Sequence, residues 1–93
     1  MLRELAASVA RSPTKVAIIK RLYQEEILTI TDLSRQLKKN KSTILRHVKS
    51  LEKAHIVQSK KAQTDQRMFL LSLTKEGKEI VRFITNSGKL EPM

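Results

Sequence analysis

Side chains able to grip a polyanion are concentrated in one stretch, "NKSTILRHVKSLEKAHIV", residues 40–57. Ile44, Val48 and Leu51 recur at helical spacing and fall together on a wheel that advances about 100° per residue. Arg46 and Lys53 fall nearly opposite them, with Ser42 and Lys49 alongside and Thr43 and Ser50 on the flank. Glu52 is the only acidic residue of the stretch. A helix divided in this way buries one face and offers a cationic one. Arg46 can fork onto guanine O6 and N7 or grip a phosphate. Ser42 and Thr43, short and near the helix start, suit base edges or phosphates. Lys41, Lys49 and Lys53 carry compact charges on flexible stems and suit phosphates. The plainer alternative is an ordinary solvated face.

Other chemistry has little to work with. His47 lies at the edge of the apolar face and reads as packed or phosphate-near rather than catalytic. His55 follows the helix and is placed to meet its C-terminal carbonyls. Neither has a partner at metal-ligand spacing. The chain has no cysteine, which excludes disulfides and thiolate metal sites, and no metal or cofactor is expected. There is no nucleophile–base pair, glycine-rich phosphate loop or carboxylate cluster, so an enzyme is not expected. Leu45 stands off the apolar face, positioned for a thymine methyl or for the preceding helix.

The 93 residues suit one domain, and with 40% hydrophobic but only 3% aromatic residues its core must be aliphatic. The net charge of +10 is uneven: Lys38, Lys39, Lys41, Arg46, Lys49, Lys53, Lys60 and Lys61 face Glu52 alone between residues 38 and 61. A local field of this kind favours nucleic acid, against the alternative of a solvated lysine-rich surface. No segment approaches the roughly 20 apolar residues that span a membrane. The N-terminal apolar run is short and broken by Glu4, unlike a signal peptide. An intracellular (cytoplasmic), DNA-associated protein without membrane contact is the expectation.

The surrounding pattern supplies the elements. Leu2, Leu5, Ala6 and Val9 stripe a helix over residues 1–10. Ser12 caps a second helix with Pro13 in its first position, and Val16, Ile19 and Leu22 or Tyr23 point inward. Gln24-Glu25-Glu26 is a polar break, "ILTI" a brief strand over 27–30, and Thr31 the cap of a short helix with Leu33 and Leu37 inward. Asn40 caps the cationic helix, which runs from 41 to about 54. "HIVQSKK" and "RMFLLSL" are strands around the turn "AQTDQ", with Phe69, Leu71 and Leu73 on one face. Thr74 caps a last helix with Ile80, Val81 and Ile84 apolar; Gly77 inside it costs about 1 kcal/mol relative to alanine. "KLEPM" is a frayed tail. The fold class is mainly α with a small β-hairpin, a winged helix-turn-helix in one domain: N-terminal helix 1–11, core 12–73, C-terminal helix 74–88, tail 89–93.

"SPTKVAIIKRLYQEEILTITDLSRQLKKNKSTILRHVKSLEKAHIV" resembles the core of winged-helix transcription regulators of the MarR and ArsR type, and the likeness extends over residues 12 to 85. "LTKEG", residues 73–77, resembles the segment after the wing of MarR-type proteins. Asp65 and Arg67 have the spacing of the Asp-x-Arg pair of the MarR wing. The resemblance implies a sequence-specific double-stranded DNA-binding regulator, with the 41–54 helix in the major groove, Lys60 and Lys61 in the wing, and Arg67 in the minor groove oriented by Asp65. It departs from the ArsR metal sensors in having no cysteine. It departs from MarR-type proteins in its short end helices, so a small-molecule effector is not expected. Alternatives are a winged-helix protein-interaction module of a transcription or replication assembly, and a nonspecific nucleic-acid-binding protein.

A homodimer is expected from the two ends. The core can cover one of the stripes Leu2, Leu5, Val9 and Ile80, Val81, Ile84, though hardly both, and an uncovered aliphatic stripe marks an interface.

Overall fold

The computed structural model describes residues 2–64 and 68–88, with side chains over 3–64 and 68–85. Its order is α1 Leu2–Ala10, α2 Pro13–Glu25, α3 Ile30–Leu37, α4 Lys41–Lys53, β1 Val57–Lys61, β2 Phe69–Leu73 and α5 Lys75–Gly88. This is the winged helix-turn-helix: α3 and α4 form the helix pair and the β1–β2 hairpin the wing. The tail and the wing pair Asp65 and Arg67 lie outside the described residues.

Local chemistry starts each helix. Ser12 accepts from the Lys15 amide at 3.3 Å, with Pro13 following it. Asn40 Oδ1 accepts from the Thr43 amide at 3.0 Å and also from Ser42 Oγ at 3.1 Å. Thr74 Oγ1 accepts from the Gly77 amide at 2.9 Å. The start of α3 differs from expectation. Thr29, not Thr31, is the cap, because only Thr29 has a carboxylate three residues on. Asp32 N donates to Thr29 Oγ1 and Thr29 N donates to Asp32 Oδ2, each at 3.0 Å. This reciprocal capping box satisfies two helix-end donors. The Thr29 amide first, with the Thr29 hydroxyl and the Arg35 charge, holds the Asp32 carboxyl below the ordinary aspartate range, against the opposing effect of burial. The box therefore contributes stability above the unfolded-state pKa of Asp32 and loses it as pH falls through the lower folded-state value. Thr29→Ala should lower stability by about 1 kcal/mol at neutral pH, read as a lower urea midpoint at unchanged slope.

The "ILTI" strand shrinks to a single bridge, Leu28 to Leu71, with amide–carbonyl bonds of 3.1 and 2.8 Å. The chain turns too sharply for more. Glu26 has φ 68° and Ile27 N bonds back to Glu25 O at 2.8 Å, while α3 begins at Ile30. After α4 the chain reverses at His55, φ 63°: His55 N reaches Glu52 O at 2.9 Å and Ile56 N reaches Leu51 O at 2.9 Å. This paired closure is a Schellman motif, which leaves His55 at the position glycine usually takes.

The core is aliphatic and continuous. Ile18, Ile19 and Leu22 of α2, Leu33 of α3, Ile44, Val48 and Leu51 of α4, and Leu71 and Leu73 of β2 are buried together. Burying the three α4 side chains contributes about 1.5–3 kcal/mol each as an upper estimate, which fixes which face of α4 remains outside. Phe69 extends past the core and is 44% exposed.

The terminal helices correct the expected dimer stripe. α1 packs along α5 within the chain. Val9, Ile80 and Val81 are buried, and Leu5 and Ile84 pack partly buried against the same core; the Leu2 side chain lies outside the described residues. The two stripes cover each other, so the premise that one is left over fails.

Candidate nucleic-acid interface

The outer face of α4 carries the cations. Lys41, Ser42, Arg46, Lys49, Ser50 and Lys53 are exposed, and Thr43 is half-buried. Their charges are not quenched by neighbours. Glu52 Oε2 accepts from Ser59 Oγ at 2.6 Å, which ties the single acid of the helix to β1. Among the described residues the ion pair is Arg35 with Asp32 at 3.6 Å, on α3 and largely in water. Leu45 is 42% exposed, so part of its side chain stands on the outer surface of α4.

The wing divides its two lysines. Val57, Ser59 and Lys61 share one face of β1, paired with Leu73, Leu71 and Phe69. The Ser59–Glu52 bond shows that this face looks toward α4. Lys60 points the other way by the alternation of a strand. It lines a groove of about 650 Å³ with Tyr23, Ile27, Leu70, Lys78 and Arg82. Lys61 thus lies on the strand face that looks toward α4, and Lys60 on the opposite face, lining the groove.

Two further lysines lie beside the outer face of α4, and one of them escaped the sequence pattern. Lys15, on α2, lays its ammonium across α4 and donates to Ser50 Oγ at 3.1 Å. Lys39 is held in the turn between the helices: its amide donates to Ser34 O at 3.1 Å and its carbonyl accepts from Ser34 Oγ at 2.5 Å. The preceding Lys38 takes φ 56°, a left-handed stop that ends α3. The basic run contained Lys39, but nothing local tied Lys15 to a helix so far along the chain. His47 sits half-buried on α4 beside them. Desolvation first, then repulsion from Arg46, Lys15 and Lys39, holds its pKa below the ordinary histidine value of 6.5.

The surface joins a helix of exposed cations, short hydroxyls near its start and one outward leucine to a projecting hairpin. That combination can bind phosphates along a groove and reach base edges within it. No helix among the described residues is long and apolar enough to cross a membrane.

The profile described as "Bacterial regulatory protein, arsR family" matches residues 12–59, from the α2 cap into β1. No curated protein matches the sequence. The adhesin competence repressor (AdcR) from Streptococcus pyogenes is similar over 83% of this chain and 57% of its own, at 28% identity and TM-score 0.75. The YusO protein from Bacillus subtilis shares the fold over 84% of this chain and 55% of its own, at 19% identity and TM-score 0.82. MepR of S. aureus, in its complex with DNA, shares it over 81% of this chain and 62% of its own, at 21% identity and TM-score 0.76. The chain spans little more than half the length of these structures.

Proposed function

The chain belongs to the arsR family of bacterial regulatory proteins, and from that membership we propose that it is a sequence-specific double-stranded DNA-binding transcription regulator. The observation that carries the reading is the unquenched cationic face of α4, opposite the buried Ile44, Val48 and Leu51. With that face in the major groove, Arg46 and Thr43 reach base edges, Lys41, Lys49 and Lys53 neutralise phosphates, and Leu45 meets a thymine methyl. Lys61 follows the backbone from the wing. MepR, which is known bound to DNA, has the same fold. Family and fold are those of regulators, not enzymes. The protein acts inside the cell, where its DNA is.

Selection of bound sequences from a random duplex pool at physiological salt tests this. An enriched motif is expected. Binding without enrichment would replace the reading with a nonspecific nucleic-acid-binding protein, and no binding would favour the protein-interaction module. Symmetry of the motif reports assembly. A two-fold motif with half-sites about 34 Å apart requires a dimer, whereas a single half-site requires none.

The resemblance of Asp65 and Arg67 to the Asp-x-Arg pair of the MarR wing implies that Arg67 enters the minor groove and that Asp65 orients it. Arg67→Ala should weaken binding most on sites with A·T-rich flanks, where the minor groove is narrow and most negative. Titrations on A·T-rich and G·C-rich flanks check this; equal losses would make Arg67 a plain phosphate contact.

A further inference from the structure

Beside the major-groove face of α4 lies a smaller cluster built from three elements. Lys15 comes from α2 and is pinned to Ser50 Oγ at 3.1 Å, one helical turn beyond His47. Lys39 comes from the turn, fixed by its two bonds to Ser34. His47 and Arg46 come from α4. Lys15 reaches α4 at Ser50, on the same side as His47, and the charges that weigh most on the imidazole, Arg46, Lys15 and Lys39, are cations. The nearby carboxylates are committed elsewhere. Glu52 accepts from Ser59, and Asp32 closes the α3 capping box. The acids of α2, Glu25 and Glu26, sit at its far end from Lys15. His47 is half-buried beside these cations and pairs with no carboxylate among the described residues, an arrangement suited to an external anion.

We propose that Lys15, Lys39 and His47 form a phosphate-binding site beside the recognition surface, and that His47 takes up a proton when duplex DNA binds, so that affinity rises as pH falls. The inference rests on the DNA-binding reading and adds to it a specific backbone contact and a pH response. In the free protein burial and three cations keep the imidazole neutral at pH 7. A backbone phosphate supplies an acceptor and cancels the repulsion, so the charged form becomes favoured in the complex. The sign follows from linkage. Affinity is flat above the bound-state pKa of His47, climbs as pH falls toward the free-state value, which lies below 6.5, and levels off beneath it. One proton allows a climb of at most about tenfold per pH unit.

The test is fluorescence anisotropy of the full chain with a labelled mixed-sequence duplex, at constant ionic strength between about pH 5 and pH 8. Wild-type affinity should rise toward acid, and His47→Gln should abolish that rise, whatever affinity it retains at the alkaline end. Lys15→Gln should weaken binding and lower the slope of log affinity against log salt by about one. An NMR titration of the His47 ring proton, with and without the duplex, reads the same event without a variant; its midpoint should move up on binding. Binding that does not respond to pH, or a response that survives His47→Gln, would overturn this inference alone. Absence of binding at every pH and salt would overturn it together with the DNA-binding reading.

Discussion

Replacing Arg46, Lys49 and Lys53 together with alanine should abolish tight DNA binding while leaving the fold intact. The three side chains are exposed on the face of α4 opposite its buried residues, and none pairs with Glu52, whose carboxylate accepts from Ser59. Alanine also favours helix, so the variant should match wild type in circular dichroism and urea midpoint. Each phosphate neutralised contributes about 0.9 to the slope of log affinity against log salt, so the slope should fall by nearly three. Carried from 1 M salt down to physiological ionic strength, that difference is about a hundredfold in affinity. Arg46 adds a further loss of about 1–3 kcal/mol on the preferred site if it forks onto a guanine, and the single Arg46→Ala would then relax sequence preference at one position. Titrations at several salt concentrations read both quantities. Unchanged affinity and slope in the triple variant would remove α4 from the interface.

Gly77→Ala should destabilise the protein, although helix propensity alone says the reverse. Gly77 is buried in the first turns of α5, and alanine at an unconstrained helical position gains about 1 kcal/mol over glycine. Here a methyl group would fall on the Ile56 carbonyl oxygen, well inside contact distance, with the Ile56 carbonyl carbon at 3.1 Å and Cγ2 at 3.2 Å. That carbonyl has no freedom to retreat. It accepts from Thr74 N at 3.0 Å and Thr74 Oγ1 at 3.2 Å, and it follows His55 in its left-handed stop, with the Ile56 side chain buried beneath. Overpacking against fixed backbone costs about 1–3 kcal/mol or more, which outweighs the propensity gain. With about 1 kcal/mol of propensity offsetting the upper part of that range, a net loss of about 1–2 kcal/mol is expected, seen as a lower urea midpoint. Since the displaced junction joins α4 to the wing, DNA affinity should fall as well. A variant more stable than wild type would show that α5 can slide away from Ile56 at little cost.

Much of the architecture was legible because it rests on short-range rules. Caps at Ser12, Asn40 and Thr74 are read from residue types next to an apolar period, and each accepts the expected amide. The division of α4 was legible because a helix repeats every 3.6 residues, so Ile44, Val48 and Leu51 must share a side and Arg46 and Lys53 must oppose it. Thr29 was also within reach, since Thr-x-x-Asp is itself a helix-start pattern, but the β-branched run "ILTI" competed for the same residues.

By itself, then, the sequence determined the order of elements, the winged helix-turn-helix and the cationic face of α4, since each follows from periodicity and capping within a few residues. Tertiary structure decided what depends on partners distant in the chain. It closed the α1 and α5 stripes on each other, because an apolar stripe specifies burial and not what buries it. It sent Lys60 to the groove and Lys61 to the α4 side, because a strand's faces are assigned only by what packs on them. It brought Lys15 across to Ser50, and it turned Gly77 from a tolerated helix defect into a required contact with Ile56. In each case the deciding distance lies between elements, where close packing leaves no room for a side chain chosen by local propensity alone.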